Sequence, residues 1–210
     1  MPGEPGILFD DGEVLVVDKP AGLLSVPGRK EHLQDCVWNR LKTRFPDREI
    51  LLVHRLDRDT SGIMLFAGSK LMQGNLGRQF EKRRIEKEYV ALVHGTLPGK
   101  EGVVDAPIRK DWTRNDPPVY IICPERGKTA RTRYRVEAQE AGISRVRLFP
   151  ETGRSHQLRV HMLSLGCPIL GDPIYSPGDG QKRLFLHAEK IIFYHPGTKE
   201  KMSFSVPAAF

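Results

Sequence analysis

The sequence predicts an α+β fold: a mixed, mostly antiparallel central sheet flanked by helices and loops. Three observations carry that prediction. Short apolar runs outnumber amphipathic helical stretches, and they are not regularly interleaved with them. The first two runs also flank a turn containing Asp11-Gly12, the pattern of a β-hairpin. A length of 210 residues fits one domain, residues 1–210.

The elements follow in order. Ile7–Phe9 and Val14–Val17 form the hairpin, and Lys19-Pro20-Ala21-Gly22 breaks its second strand. From His32 to Phe45, Leu33, Val37, Leu41 and Phe45 recur every four residues, which predicts an amphipathic helix stopped by Pro46. Leu51–Val53 is a short buried strand that leads into His54-Arg55-Leu56-Asp57, and Ile63–Ala67 is another. Ser69 is placed to cap a helix over Leu71–Arg84, after which Tyr89–Val93 returns to strand. The stretch Leu97–Arg126 is rich in Pro, Gly and charge, and its middle, Lys110–Val119, predicts an irregular excursion. Thr129–Val136 and Ser144–Phe149 are strands, Ser155 is placed to cap a helix through Leu165, and Leu184–Tyr194 and Met202–Val206 complete the sheet.

Composition excludes several classes. With 39% hydrophobic and 28% charged residues the chain is neither disordered nor fibrous. Three scattered cysteines make no disulfide framework or zinc knuckle, which points to a reducing, cytoplasmic setting. No signal peptide or apolar run of membrane-spanning length occurs, so no membrane association is expected. Lys and Arg number 33 against 26 Asp and Glu, a net charge of +7 that suits a polyanionic partner without requiring one.

Two segments concentrate chemistry. In His54-Arg55-Leu56-Asp57-Arg58-Asp59-Thr60-Ser61-Gly62 a carboxylate stands among guanidiniums beside an apolar strand. Such a carboxylate is held charged and oriented, as a covalent nucleophile must be, although a charged turn with local salt bridges has the same pattern. In Gly153-Arg154-Ser155-His156-Gln157-Leu158-Arg159, backbone N–H groups and an arginine meet at a helix start, which suits a phosphate or the Asp57 carboxylate, although an ordinary capped helix with an exposed basic face has the same pattern. His156 and His161 lie five residues apart with no cysteine nearby, so no metal site is expected. Phosphate-binding and dinucleotide-binding glycine motifs are missing, so no cofactor is expected. On a strand over Thr129–Val136, Arg131, Arg133 and Arg135 share one face at a pitch of ~6.6 Å, suited to a phosphate backbone. A second group, Arg78, Lys82, Arg83, Arg84 and Lys87, is diluted by Glu81, Glu86 and Glu88 and reads more simply as a solvated, salt-bridged helix face. Tyr89 is either an ordinary strand residue or a ring that stacks on a base.

Taken together these blocks resemble the RluA family of pseudouridine synthases. His54-Arg55-Leu56-Asp57 with Thr60-Ser61-Gly62 matches its signature. Lys19-Pro20-Ala21-Gly22, Lys87-Glu88-Tyr89, Gly127-Lys128-Thr129-Ala130, Gly153–Arg159 and Leu186-His187-Ala188 follow in the family's order, over roughly Ile7–Ala208. Ser155 and Leu158 stand where Thr and Ile are more usual. The resemblance implies the pseudouridine synthase catalytic fold, here without the S4 RNA-binding module of other members. It also implies isomerisation of uridine to pseudouridine with no cofactor or metal.

Residue by residue, the family's catalytic aspartate falls on Asp57 and its partner arginine on Arg154. The active-site tyrosine falls on Tyr89, and the arginine that enters the RNA as the target base flips out falls on Arg55. Leu186 falls on the apolar wall behind the base. The Lys110-Asp111-Trp112 segment is similar to members that act on both 23S rRNA and a tRNA anticodon stem-loop. A monomer is expected. A non-catalytic RNA-binding or ribosome-assembly module on the same fold is the alternative, and Asp57 with Arg154 speaks against it.

Overall fold

In the computed structural model, which describes residues 2–210, the apolar runs around Asp10–Glu13 pair as the sequence predicts. Strands β1 (Gly6–Asp10) and β2 (Val14–Lys19) are antiparallel, with Ile7 opposite Val17. The turn is held by Asp11, whose Oδ1 accepts the N–H groups of Glu13 and Val14 at 2.9 and 2.8 Å.

Contacts group the chain into two units, Met1–Lys87 with Ala188–Ala209, and Glu88–His187 with Phe210. In the first, β3 (Leu51–Leu52) and β2 both pair antiparallel with β4 (Ser61–Ala67). Every residue of β4 is buried, as is nearly all of β2, so both faces of these strands are covered. That explains why they read as unbroken apolar runs rather than alternations. The helix predicted over His32–Phe45 is shorter, with a 3-10 turn at Glu31–Leu33 and α1 at Val37–Arg44. Cys36 is extended, bridges Leu24, and caps α1 by accepting the Asn39 N–H on Sγ at 3.4 Å, so the helix starts there. Helix α2 (Lys70–Glu81) is capped by Ser69 as expected but stops before Arg84, because Arg83 takes a left-handed φ of 55°.

The second unit orders its strands β5 (Glu86–His94), β10 (Ile143–Pro150), β9 (Arg131–Glu140) and β6 (Glu101–Asp105), with every adjacent pair antiparallel. Between β6 and β9 the sequence predicts an irregular excursion, and the structure instead has a hairpin of β7 (Ile108–Asn115) and β8 (Pro118–Ile122). Arg109, Lys110 and Asp111 are consecutive and all half-buried, while Trp112 is exposed, so charge falls on both faces of β7 and hides the period of two. Helix α3 (Gln157–Ser164) starts after His156 at φ 55°, with no side-chain cap, so Ser155 is not its N-cap. The first unit is completed by β11 (Leu186–Tyr194), next to β4, and by β12 (Lys201–Ser205), paired with β11.

Gly62, at the start of β4, has φ 110°, and a Cβ there would lie 2.3 Å from the Ala188 carbonyl oxygen. Gly62→Ala is therefore expected to lose about 3 kcal/mol in chemical denaturation, from strain and steric clash together. Gly153→Ala, which meets nothing within 4 Å, is expected to stay close to the parent.

Candidate active site

Asp57 lies in the loop between β3 and β4, and its main chain is fixed on both sides. Before it, the Ser25 hydroxyl donates to the Leu56 carbonyl at 2.7 Å and accepts the Leu56 N–H at 3.1 Å. After it, the Arg58 carbonyl accepts the Gly22 N–H at 3.0 Å and the Lys19 ammonium at 2.8 Å. Leu56 and Ser25 are buried, Asp57 is half-buried, and Arg55 and Arg58 are exposed. Leu56 is thus turned inward and Arg55 outward within the loop.

Lys19 is fully buried and gives its three N–H bonds to the carbonyls of Pro20, Leu23 and Arg58 at 2.9, 2.7 and 2.8 Å. Burial draws its pKa down to about 7, against the opposing pull of Asp59, Asp57 and Asp18. A lysine ammonium has three donors and no acceptor, so this site satisfies it completely. His54 anchors the other end of the loop. Its Nε2 accepts the Leu65 N–H at 3.0 Å and its ring packs on Phe80 at 4.8 Å between centroids. Desolvation, with the Lys87 charge adding to it, lowers the His54 pKa to about 3, so the ring is the neutral Nδ1–H tautomer at working pH.

In the second unit a buried polar network holds the Gly153–Ser155 loop. Gln157 Oε1 accepts the Thr152 hydroxyl at 2.7 Å and the Arg154 N–H at 3.0 Å, while its Nε2 donates to the Arg131 carbonyl and to Thr132 Oγ1, both at 3.0 Å. Thr132 also contacts His161 Nδ1 at 2.9 Å, and His161 Nε2 lies 3.0 Å from the Ala106 carbonyl. A carbonyl only accepts, so Nε2 carries the hydrogen and Thr132 donates to Nδ1. Arg154 is exposed, with Nε donating to the Thr129 carbonyl at 3.0 Å, a tie that uses one of its five donors. Tyr89 is half-buried on β5 opposite Leu148, and Leu186 is 3% exposed in the core formed with Val93, Leu148 and Leu158.

Comparison with known proteins settles the family: the RNA pseudouridylate synthase family matches over residues 13–164. The chain belongs to it. The dual-specificity RNA pseudouridine synthase RluA of Escherichia coli strain K12 is 46% identical over 215 residues, covering 100% of this chain and 96% of that protein. The protein of the same name from Pasteurella multocida strain Pm70 is 47% identical over 208 residues, covering 97% and 93%. Among solved structures, human RNA pseudouridylate synthase domain containing 1 aligns with a TM-score of 0.81 at 29% identity, over 99% of this chain and 86% of that one. Human RNA pseudouridylate synthase domain containing 4 aligns with a TM-score of 0.76 at 29% identity, over 97% and 88%. This member of the pseudouridine synthase family is therefore an isomerase that acts on RNA.

The synthase's predicted arginine row does share a face of β9: Arg131, Arg133 and Arg135 alternate with the inward Thr132 and Tyr134. The structure adds acids from neighbouring strands that the linear pattern did not show. Arg131 pairs with Asp105 at 3.0 Å and with Glu151 at 3.1 Å, and Arg133 pairs with Glu151 at 3.1 Å. Among the described residues no group of three or more His, Cys, Asp or Glu is placed to hold a metal ion. Two loop-fixing roles carry no signal in the sequence: Lys19 stands there only in the strand break and the family block that follows the first hairpin, and Ser25 has no assigned role.

Lys19→Met leaves the Pro20 and Leu23 carbonyls without this donor and the Arg58 carbonyl with the Gly22 N–H alone, and is expected to lower stability by about 3 kcal/mol. Because the Asp57 main chain is released with them, turnover should fall about 100-fold at saturating RNA. Denaturation and single-turnover assays of the variant check both expectations.

Proposed function

We propose that the chain isomerises uridines in both 23S rRNA and a tRNA anticodon stem-loop, with Asp57 as the catalytic residue. One observation carries this reading: a half-buried carboxylate whose two neighbouring peptide groups are fastened by Ser25, Lys19 and Gly22. A binding module gains nothing from holding a carboxylate so firmly near an anionic ligand, whereas a reaction at a ribose requires it. The two targets are supported by the dual-specificity relatives at 46% and 47% identity over nearly the whole chain.

In the proposed reaction the uracil N1–C1′ bond breaks and a C5–C1′ bond forms. The hydrogen on C5 leaves as a proton and N1 regains one, so no oxidant, metal or nucleotide is consumed. Asp57 acts at the ribose as the glycosidic bond breaks. Arg154 partners the carboxylate through a planar fork that a lysine would not reproduce. Tyr89 lies against the uracil and assists removal of the C5 proton, with Leu186 as apolar support behind the base. Arg55, exposed beside Asp57, fills the space left as the target nucleotide flips, offsetting an unstacking cost of a few kcal/mol. Arg131, Arg133 and Arg135 contact backbone phosphates. The protein acts as a monomer in the cytoplasm; among the described residues no helix is long and apolar enough to cross a membrane.

Asp57→Asn is expected to abolish tritium release from RNA labelled at uridine C5, while leaving the melting temperature and RNA affinity close to the parent. Normal release by that variant overturns the assignment. Replacing Arg131, Arg133 and Arg135 together with Gln is expected to weaken RNA binding and to flatten its dependence on salt concentration. An unchanged salt slope removes the row from the interface.

A further inference from the structure

The first unit contains a second basic site, in a segment the sequence reads as a solvated, salt-bridged helix face. Arg78 and Lys82 at the end of α2, Arg84 after it, and Lys199 in the β11–β12 turn line a cavity of about 490 Å³. Tyr194, 46% exposed, and the buried His195 form its other wall. The walls are tied together, since Gln79 donates to the Tyr194 carbonyl at 2.7 Å and accepts the Tyr194 N–H at 2.9 Å. The cavity is thus built into the fold.

Its cations have only neutral partners: Arg78 donates to Asn75 Oδ1 at 3.1 Å and the Lys199 ammonium donates to the Pro196 carbonyl. Two carboxylates approach the cavity's wall, Asp11 and Glu13 at 2.8 and 3.9 Å from His195, and Glu86 pairs with Lys201 at 3.6 Å. Among the described residues none of the four cations is in an ion pair. Nor are they needed to cap α2. The backbone N–H groups of Lys82, Arg83 and Arg84 already satisfy the carbonyls of Arg78, Phe80 and Gln79 at 2.9, 3.1 and 2.8 Å. Four like charges around one cavity, none of them drawn into an ion pair, raise its affinity for anions. An accessible tyrosine ring beside them adds a surface on which a base can stack.

We propose that this cavity holds the phosphate and base of one nucleotide of the substrate RNA, remote from the nucleotide undergoing reaction. The proposal rests on the reading that the chain acts on RNA. Along β11, Tyr194 lies six residues from Ala188, the residue against which Gly62 packs. At the rise of a β-strand that places the cavity roughly 20 Å from the loop that carries Asp57. A strand of several nucleotides spans that distance, so the cavity extends the RNA footprint without touching the reacting base.

The test is the affinity of a 20-nucleotide oligouridylate, measured by fluorescence anisotropy across a salt series. For the Arg78→Gln, Lys82→Gln, Arg84→Gln, Lys199→Gln variant the dissociation constant is expected to rise about tenfold or more. The slope of log affinity against log salt should become shallower by about 3, from four lost phosphate-facing charges on a single strand. With an RNA substrate, KM should rise while kcat is retained, because none of the four residues belongs to the Asp57 loop. All four side chains are exposed, so the fold should survive. If circular dichroism shows otherwise, the paired variants Arg78→Gln with Lys82→Gln and Arg84→Gln with Lys199→Gln should each give half the slope change. Unchanged affinity and slope overturn the proposal. So does competition at the cavity by UMP alone with oligouridylate binding insensitive to the substitutions, which makes it a mononucleotide site. Tritium release by the parent protein, read in parallel, keeps failure of the catalytic reading separate from failure of this one.

Discussion

A single buried ammonium organises the loop that carries Asp57. Lys19 has no exposed surface, and an uncompensated charge in that position would cost many kcal/mol. The cost is offset because three carbonyls, from Pro20, Leu23 and Arg58, converge on it within 2.9 Å. Two of them belong to the break after β2 and one to the loop after β3, so satisfying the charge draws two separate stretches together. With Ser25 holding Leu56, the main chain around Asp57 has few remaining ways to move.

The second unit reaches a similar end by neutral means. Gln157 is 4% exposed and its side-chain amide makes four hydrogen bonds, to Thr152, Arg154, Arg131 and Thr132. Thr132 and His161 continue the chain to Ala106. Deeper in, Arg159 and Asp172 form a fully buried bidentate pair at 2.7 Å, and Asp172 also accepts the N–H groups of Ile174 and Tyr175. Satisfied networks of this kind specify one arrangement, because any alternative strands a buried donor or acceptor. They fix a loop that must also remain open enough for Arg154 to be exposed.

Much of this was legible in the sequence, and the exceptions have physical causes. The Asp-Gly hairpin, the apolar β4 and the Ser69 cap are local signals, and each appears where the residues place it. The β7–β8 hairpin was not legible, because Arg109, Lys110, Asp111, Trp112, Thr113 and Arg114 offer no alternation of apolar and polar side chains. The starts of α1 and α3 depend on backbone at Cys36 and His156, positions where the residue type gives a weak signal. Ser155 looked the better cap, yet a left-handed His156 follows it. The row at Arg131, Arg133 and Arg135 was placed on the right face, but Asp105 and Glu151 arrive from other strands and cannot be counted from the linear pattern. Lys19 illustrates the same limit: its three partners are backbone atoms, which carry no side-chain signature.

That last point bears on how such an enzyme can diversify. The groups that seat Lys19 are peptide carbonyls, present whatever residue occupies positions 23 and 58. Side chains at those two positions are therefore released from seating Lys19. Arg58 adds a tie of its own, Nε donating to the Gly22 carbonyl at 3.2 Å, so exchange of its guanidinium removes that bond and leaves the carbonyl anchor in place. Variation in the residues around Asp57 is thereby uncoupled from the ammonium that fixes their main chain.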